Sequence, residues 1–120
     1  MATFNKVQLS GSTGGQPILV AQTATAGTLI HTTGTSSSVL DEVWLYAYND
    51  HTADLLLTIE YGGVTSPNNL IRQTVTTRAG LILVAPGLLL AGDGTSGRNI
   101  RAFAASANLV TIVGFVNRIS

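Results

Sequence analysis

The sequence predicts an all-β fold, an antiparallel sandwich or barrel of eight or nine short strands in one domain over residues 1–120. Three observations predict it. No window carries apolar residues at the i, i+3, i+4, i+7 spacing of an amphipathic helix. Thr, Val and Ile, whose branched Cβ favours a pleated surface, abound. Short apolar runs recur between clusters of Gly, Ser, Asn and Pro that read as turns.

Taken in order, the runs place strands at Thr3–Leu9, Pro17–Gln22 and Thr28–Thr32, with the polar loop Ser10–Gln16 after the first. The Thr/Gly/Ser segment Thr32–Ser38 leads into Glu42–Asn49. That strand is apolar on both faces, Val43, Leu45 and Ala47 on one and Trp44, Tyr46 and Tyr48 on the other, so it is central to the fold or sits at a subunit contact. The next strand, Asp54–Gly62, alternates Leu55, Leu57, Ile59 and Tyr61 against Leu56, Thr58 and Glu60. The polar link Asp50–Ala53 between them predicts an antiparallel hairpin. Further strands fall at Leu70–Thr76, at Gly80–Val84 with a continuation at Leu88–Leu90 beyond Pro86-Gly87, and at Ile100–Ala104 after the loop Ala91–Arg98. The last, Leu109–Arg118, faces Leu109, Thr111, Val113 and Phe115 one way and Val110, Ile112, Gly114 and Val116 the other; Gly114 marks a bulge or a close backbone approach. Nothing repeats internally.

Charge narrows the function. Only 10% of the chain is charged and the formal net charge is +0, while a soluble domain averages about 25% charged residues. A zero net charge argues against a nucleic-acid or acidic-membrane binder, which needs a basic face. With no cysteine there is no disulfide scaffold, thiol nucleophile or zinc–thiolate site. The longest apolar stretch, Leu81–Ala91, is interrupted by Pro86 and Gly87 and is far shorter than the ~20 residues of a membrane helix. No signal-peptide core follows Met1 and no Asn-x-Ser/Thr site occurs, so the expected place of synthesis is a cytoplasm. A surface of Thr, Ser and Gly with few ions gives little protection against association, which fits a chain that lives in an assembly. The end segments Met1–Phe4 and Arg118–Ser120 are expected to need a partner for their order.

Candidate sites are few. Gly92-Asp93-Gly94-Thr95-Ser96-Gly97 spells the dinucleotide-binding glycine pattern, but Arg98–Phe103 after it reads as a strand where a helix is required, so it is read as a surface loop. Asp50, His51 and Asp54 could ligate a divalent cation, yet a hairpin tip needs such residues for its own backbone. No nucleophile elbow supports a hydrolase; His31 reads as a structural histidine and Asp41-Glu42 as the solvated start of a strand. No catalytic residue, metal ligand or cofactor site is assigned. Trp44, Tyr46, Tyr48 and Tyr61 could form a stacking platform for sugars or bases, but such rings suit a core or subunit contact better. The interface candidates are Trp44, Tyr46, Tyr48 and Phe115 with Arg72, Arg101 and Arg118, because arginine is enriched at interfaces where lysine is depleted.

Three segments carry a resemblance. Val7-Gln8-Leu9-Ser10, Asp41–Asn49 with Leu57–Gly63, and Gly114-Phe115-Val116-Asn117-Arg118-Ile119 together resemble the small β-rich virion proteins of tailed bacteriophages. The resemblance implies a jelly-roll-like sandwich acting as a capsid decoration, or cement, protein: a non-enzymatic component on the outer head surface that binds the major capsid protein and bridges capsomers. It implies self-association too, a trimer being the first expectation because capsid lattices offer local three-fold positions. A tail or head–tail junction component and a carbohydrate-binding sandwich are the alternative readings.

Overall fold

The structure is a computed structural model and describes residues 2–120. Nine strands and no helix occur among the described residues: β1 (Phe4–Gln8), β2 (Ile18–Leu19), β3 (Thr28–Thr32), β4 (Leu40–Asn49), β5 (Leu55–Tyr61), β6 (Leu70–Val75), β7 (Ile82–Leu90), β8 (Asn99–Ala104) and β9 (Val110–Ile119). They form two antiparallel sheets. One has the order β1-β9-β4-β7, with β2 also on β9; the other has the order β3-β8-β5-β6. This is jelly-roll topology. The chain folds back on itself so that β5 meets β6, β4 meets β7, β3 meets β8, and β1 with β2 meets β9. The doubled ribbon then winds so that β4 meets β9 and β5 meets β8.

Winding overturns the expected hairpin between the fourth and fifth strands. β4 pairs with β7 and β9, β5 with β6 and β8, and residues 50–54 carry the chain from one sheet to the other. Both strands alternate as a hairpin would, but both turn their apolar residues into the space between the sheets. The fully buried Asn49 holds the crossing: its Nδ2 donates to the carbonyls of Ala53 (3.0 Å) and Val75 (2.9 Å), and its Oδ1 accepts from the His51 amide (2.8 Å).

Other differences from the sequence reading have local causes. β7 runs unbroken through Pro86 because it is an edge strand, where a missing N–H costs no ladder bond, and its register against β4 shifts twice. β2 keeps only two residues, although Val20 still exchanges backbone bonds with Val110 and Asn108. The chain ends do not wait for a partner: Thr3 and Ser120 exchange both backbone bonds (2.7 and 2.9 Å), and β1 pairs with the end of β9; Met1 lies outside the described residues.

The core lies between the sheets. Val43, Leu45 and Ala47 of β4 and Ile112 and Val116 of β9 face Leu57 and Ile59 of β5 and Ile100 and Ala102 of β8, all buried. Gly114 stands opposite Leu45 in unshifted register, so it marks a close approach and not a bulge. A Cβ there would run into the Trp44 carbonyl oxygen, closer than the two central strands allow. Gly114→Ala is therefore expected to lower stability by about 2 kcal/mol, measured by urea unfolding; an unchanged midpoint would show that the strands spread at no cost.

Candidate functional site

Strand parity builds two quite different groups of polar and aromatic residues. The first is internal. Asp41 shares parity with Val43, Leu45 and Ala47, and Arg118 with Val116 and Ile112, so both point inward from paired positions on β4 and β9. Arg118 Nε and Nη2 donate to the two oxygens of Asp41 at 2.8 and 3.0 Å, a bidentate pair. His31, from β3 of the other sheet, places Nε2 2.8 Å from Asp41 Oδ2. The Ser10 amide donates to His31 Nδ1 (3.1 Å), which leaves the ring proton on Nε2 for the bond to Asp41. The network thus ties β4 and β9 of one sheet to β3 of the other.

Asp41 is consequently not the solvated start of a strand: it is 1% exposed, as is His31. Burial pushes its carboxyl up, but the hydrogen bonds from Arg118 and His31 and the charge of Arg118 outweigh that and hold it below the ordinary carboxylate range. Asp41 in turn raises the Arg118 guanidinium. Tyr61 lies within reach of the same field; burial first, and Asp41 second, push its phenol up to about 12, and its hydroxyl is buried without a hydrogen-bond partner among the described residues. Histidine beside aspartate is the base half of a hydrolase triad, but here both ring nitrogens are occupied and the nitrogen a nucleophile would need accepts a backbone amide. As chemistry, the arrangement is a lock between sheets.

The second group is external and is formed by the outward residues of the β1-β9-β4-β7 sheet. Trp44, Tyr46 and Tyr48 of β4 stand beside Phe115 and Val113 of β9. The Trp44 and Phe115 rings stack with centroids 6.2 Å apart and planes 14° apart. Around them the face is more open: Phe4 is 60% exposed, Leu89 53%, Leu19 47% and Leu83 44%. Registered pairing puts each of these on the same face as the aromatics, since Phe4 opposes Ile119, Leu19 opposes Thr111, Leu83 opposes Tyr46 and Leu89 opposes Glu42. The outward strand positions carry just two charges, Lys6 and Glu42. Lys6 Nζ sits 4.8 Å over the Phe115 ring and Glu42 accepts from Trp44 Nε1 at 2.9 Å, so both charges lie against rings.

The interface candidates therefore divide. Trp44, Tyr46, Tyr48 and Phe115 share this face. Arg72 and Arg101 lie on the outside of the other sheet, registered against Thr58 and Glu60. Arg118 turns inward to Asp41. The other sheet's outer face is partly roofed by the segment before β3: Thr25 Oγ1 and the Gly27 amide donate to Glu60, which is fully buried, and Arg101 donates to the Gly27 carbonyl. Sequence reasoning missed Phe4, Leu19, Leu83 and Leu89 as members of the apolar face. Strict alternation would put Leu83, Ala85 and Leu89 on one side of their strand; the two register shifts turn Ala85 inward and leave Leu83 and Leu89 outward beside β4.

The remaining candidates serve the backbone. Asp50 accepts from Tyr48 Oη, Asp54 from the Thr77 amide and His51 Nδ1 from the Thr52 amide. No group of three or more His, Asp or Glu residues able to hold a metal occurs among the described residues. In the glycine-patterned loop, the Gly92 and Gly94 amides donate to Ser36 and Thr35, and Asp93 accepts from the Thr95 and Ser96 amides, bonds that hold its carboxyl below the usual range. Those amides are thus committed within the protein, where a phosphate cradle would present them. Beside the loop, a groove of about 290 Å³ is lined by Gly63, Val64, Asp93, Arg98 and Arg101. Arg98 bonds the Ala91 and Gly92 carbonyls, so this arginine also braces loops.

Comparison with protein-family models, with curated proteins and with solved structures finds no match for the chain.

Proposed function

We propose that the protein is a structural component that works by being built into a larger assembly, a decoration-type virion protein that binds a shell of major capsid protein and stabilises contacts between capsomers. The single observation that carries the assembly reading is the uncovered apolar face centred on Trp44 and Phe115. Contiguous apolar surface of this kind marks an interaction site on a soluble domain. A chain with only 10% charged residues has little electrostatic means of keeping such a face apart from partners. The virion reading adds the resemblance of the β1, β4–β5 and β9 segments to tailed-phage virion proteins. Jelly rolls are used in viral coats and also in lectins, so the fold is compatible with it and does not select it.

The test is direct. Purified protein mixed with expanded phage capsid shells should co-sediment at a fixed stoichiometry and raise the temperature at which the shells come apart, since many weak contacts add up over a lattice. Shells that gain neither mass nor heat resistance would sink the decoration reading. Trp44-dependent binding on a glycan array would replace it with a carbohydrate-binding one.

A further inference from the structure

We infer that the apolar face formed by β1, β2, β9 and β4 is covered by the same face of a second copy, related by a two-fold axis running along β9. The inference rests on the assembly reading above only in taking this face to be buried in the working state; it names the occupant.

The argument is the placement of the charges. Asn117 of β9 has two register partners, Lys6 on β1 and Glu42 on β4. The face's two opposite charges therefore lie in one row, equally spaced on either side of β9. A two-fold axis along β9 exchanges the two sides. It sets Lys6 of each copy over Glu42 of the other and produces two ion pairs from two charges that otherwise have only rings for company. The same operation makes apolar groups meet in two further rows and sets Trp44 over Gln8 in the row of Phe115. Ile119 has partners Phe4 and Leu40, so Phe4 faces Leu40 of the second copy. Thr111 has partners Leu19 and Tyr48, so Leu19 faces Tyr48. Phe115, on the axis, meets its own counterpart. A patch that is complementary to itself about a line is what an isologous dimer requires.

The size is that of a weak contact. The axis overlaps three strand columns, β1 with β2, β9 and β4, and leaves β7 outside. Three columns about 4.8 Å apart and ten residues long at about 3.3 Å each cover roughly 480 Å². Two copies then withdraw roughly 950 Å², the range of weak, transient interfaces. An isologous contact closes at two copies, so the expected unit is a dimer in place of the trimer suggested by lattice symmetry.

Light scattering of the full chain over a dilution series reads the result, with twice the 12.4 kDa chain mass expected at high concentration. Lys6→Glu sets two carboxylates together at each contact, and Glu42→Lys sets two ammonium groups together; each is expected to weaken the dimer about tenfold or more. The double variant exchanges the charges and should return the dissociation constant to within about threefold of the original. Thermal unfolding of each variant confirms that the fold is intact. A monomer at all concentrations, a closed trimer, or a double variant no better than the singles would overturn the proposal. Shell binding is measured separately: a monomer that still binds shells sinks the dimer alone, and a dimer that ignores shells sinks the virion reading alone.

Discussion

Asp41→Ala is expected to lower the stability of the fold by about 3–4 kcal/mol, the low end for breaking a buried ion pair. The loss sits at that end because the Arg118 side chain is 32% exposed and its guanidinium can turn to water when released. His31 has no such exit: it is 1% exposed, and its Nε2–H would be left in the core without an acceptor. For a domain of this size the change corresponds to a melting temperature lower by roughly 12–16 °C. Asp41→Asn keeps the shape and one acceptor oxygen and should fall between the two. Calorimetry on the three proteins checks this; a loss under about 1 kcal/mol would mean that the three-residue lock contributes little beyond offsetting its own desolvation.

The same residue sets an acid limit. The folded Asp41 carboxyl lies below its ordinary value, so its contribution is fully present above the unfolded pKa of about 3.9 and is lost as pH falls through the folded value. The wild type should therefore lose stability more steeply below about pH 4 than Asp41→Asn does, and the two curves should converge at lower pH. Parallel curves through that range would count against the assignment.

Asn49→Ala is expected to cost about 3 kcal/mol, because three backbone groups lose their partner together: the carbonyls of Ala53 and Val75 and the amide of His51. Two of them belong to the crossing between the sheets and one to the end of β6. Asn49→Asp discriminates the mechanism. It keeps an acceptor for the His51 amide but turns a carboxylate towards two carbonyl oxygens, so it should be at least as damaging as alanine. On an exposed turn the same substitution is a mild change. Near-wild-type unfolding of Asn49→Asp in urea would show that the crossing is held by its apolar contacts and not by this side chain.

These residues show how far the sequence could be read. Alternation along β4, β5 and β9 was legible, and it correctly placed Val43, Leu45 and Ala47 on one face and Trp44, Tyr46 and Tyr48 on the other. The same parity carried Asp41 and Arg118 inward, a signal hidden by the ordinary preference of charged residues for water. His31 was legible as structural, though its partners were not. Asn49, the last residue of its expected strand, proved to be a buried fastener of the link that follows, because a tight polar link serves a hairpin and a change of sheet equally well.

By itself, then, the sequence determined the scarcity of charge, the all-β class and the two faces of β4, β5 and β9, since composition and side-chain alternation over a few residues carry these. Which strands pair was decided only in three dimensions. Among strands adjacent in the chain, β5 and β6 alone are neighbours in a sheet, and every other pairing closes a longer loop. The period of two tells each residue which side of its strand it occupies and nothing about what lies alongside. That is why Lys6 and Glu42, distant in sequence, become symmetric neighbours of Asn117 only when the ribbon is wound.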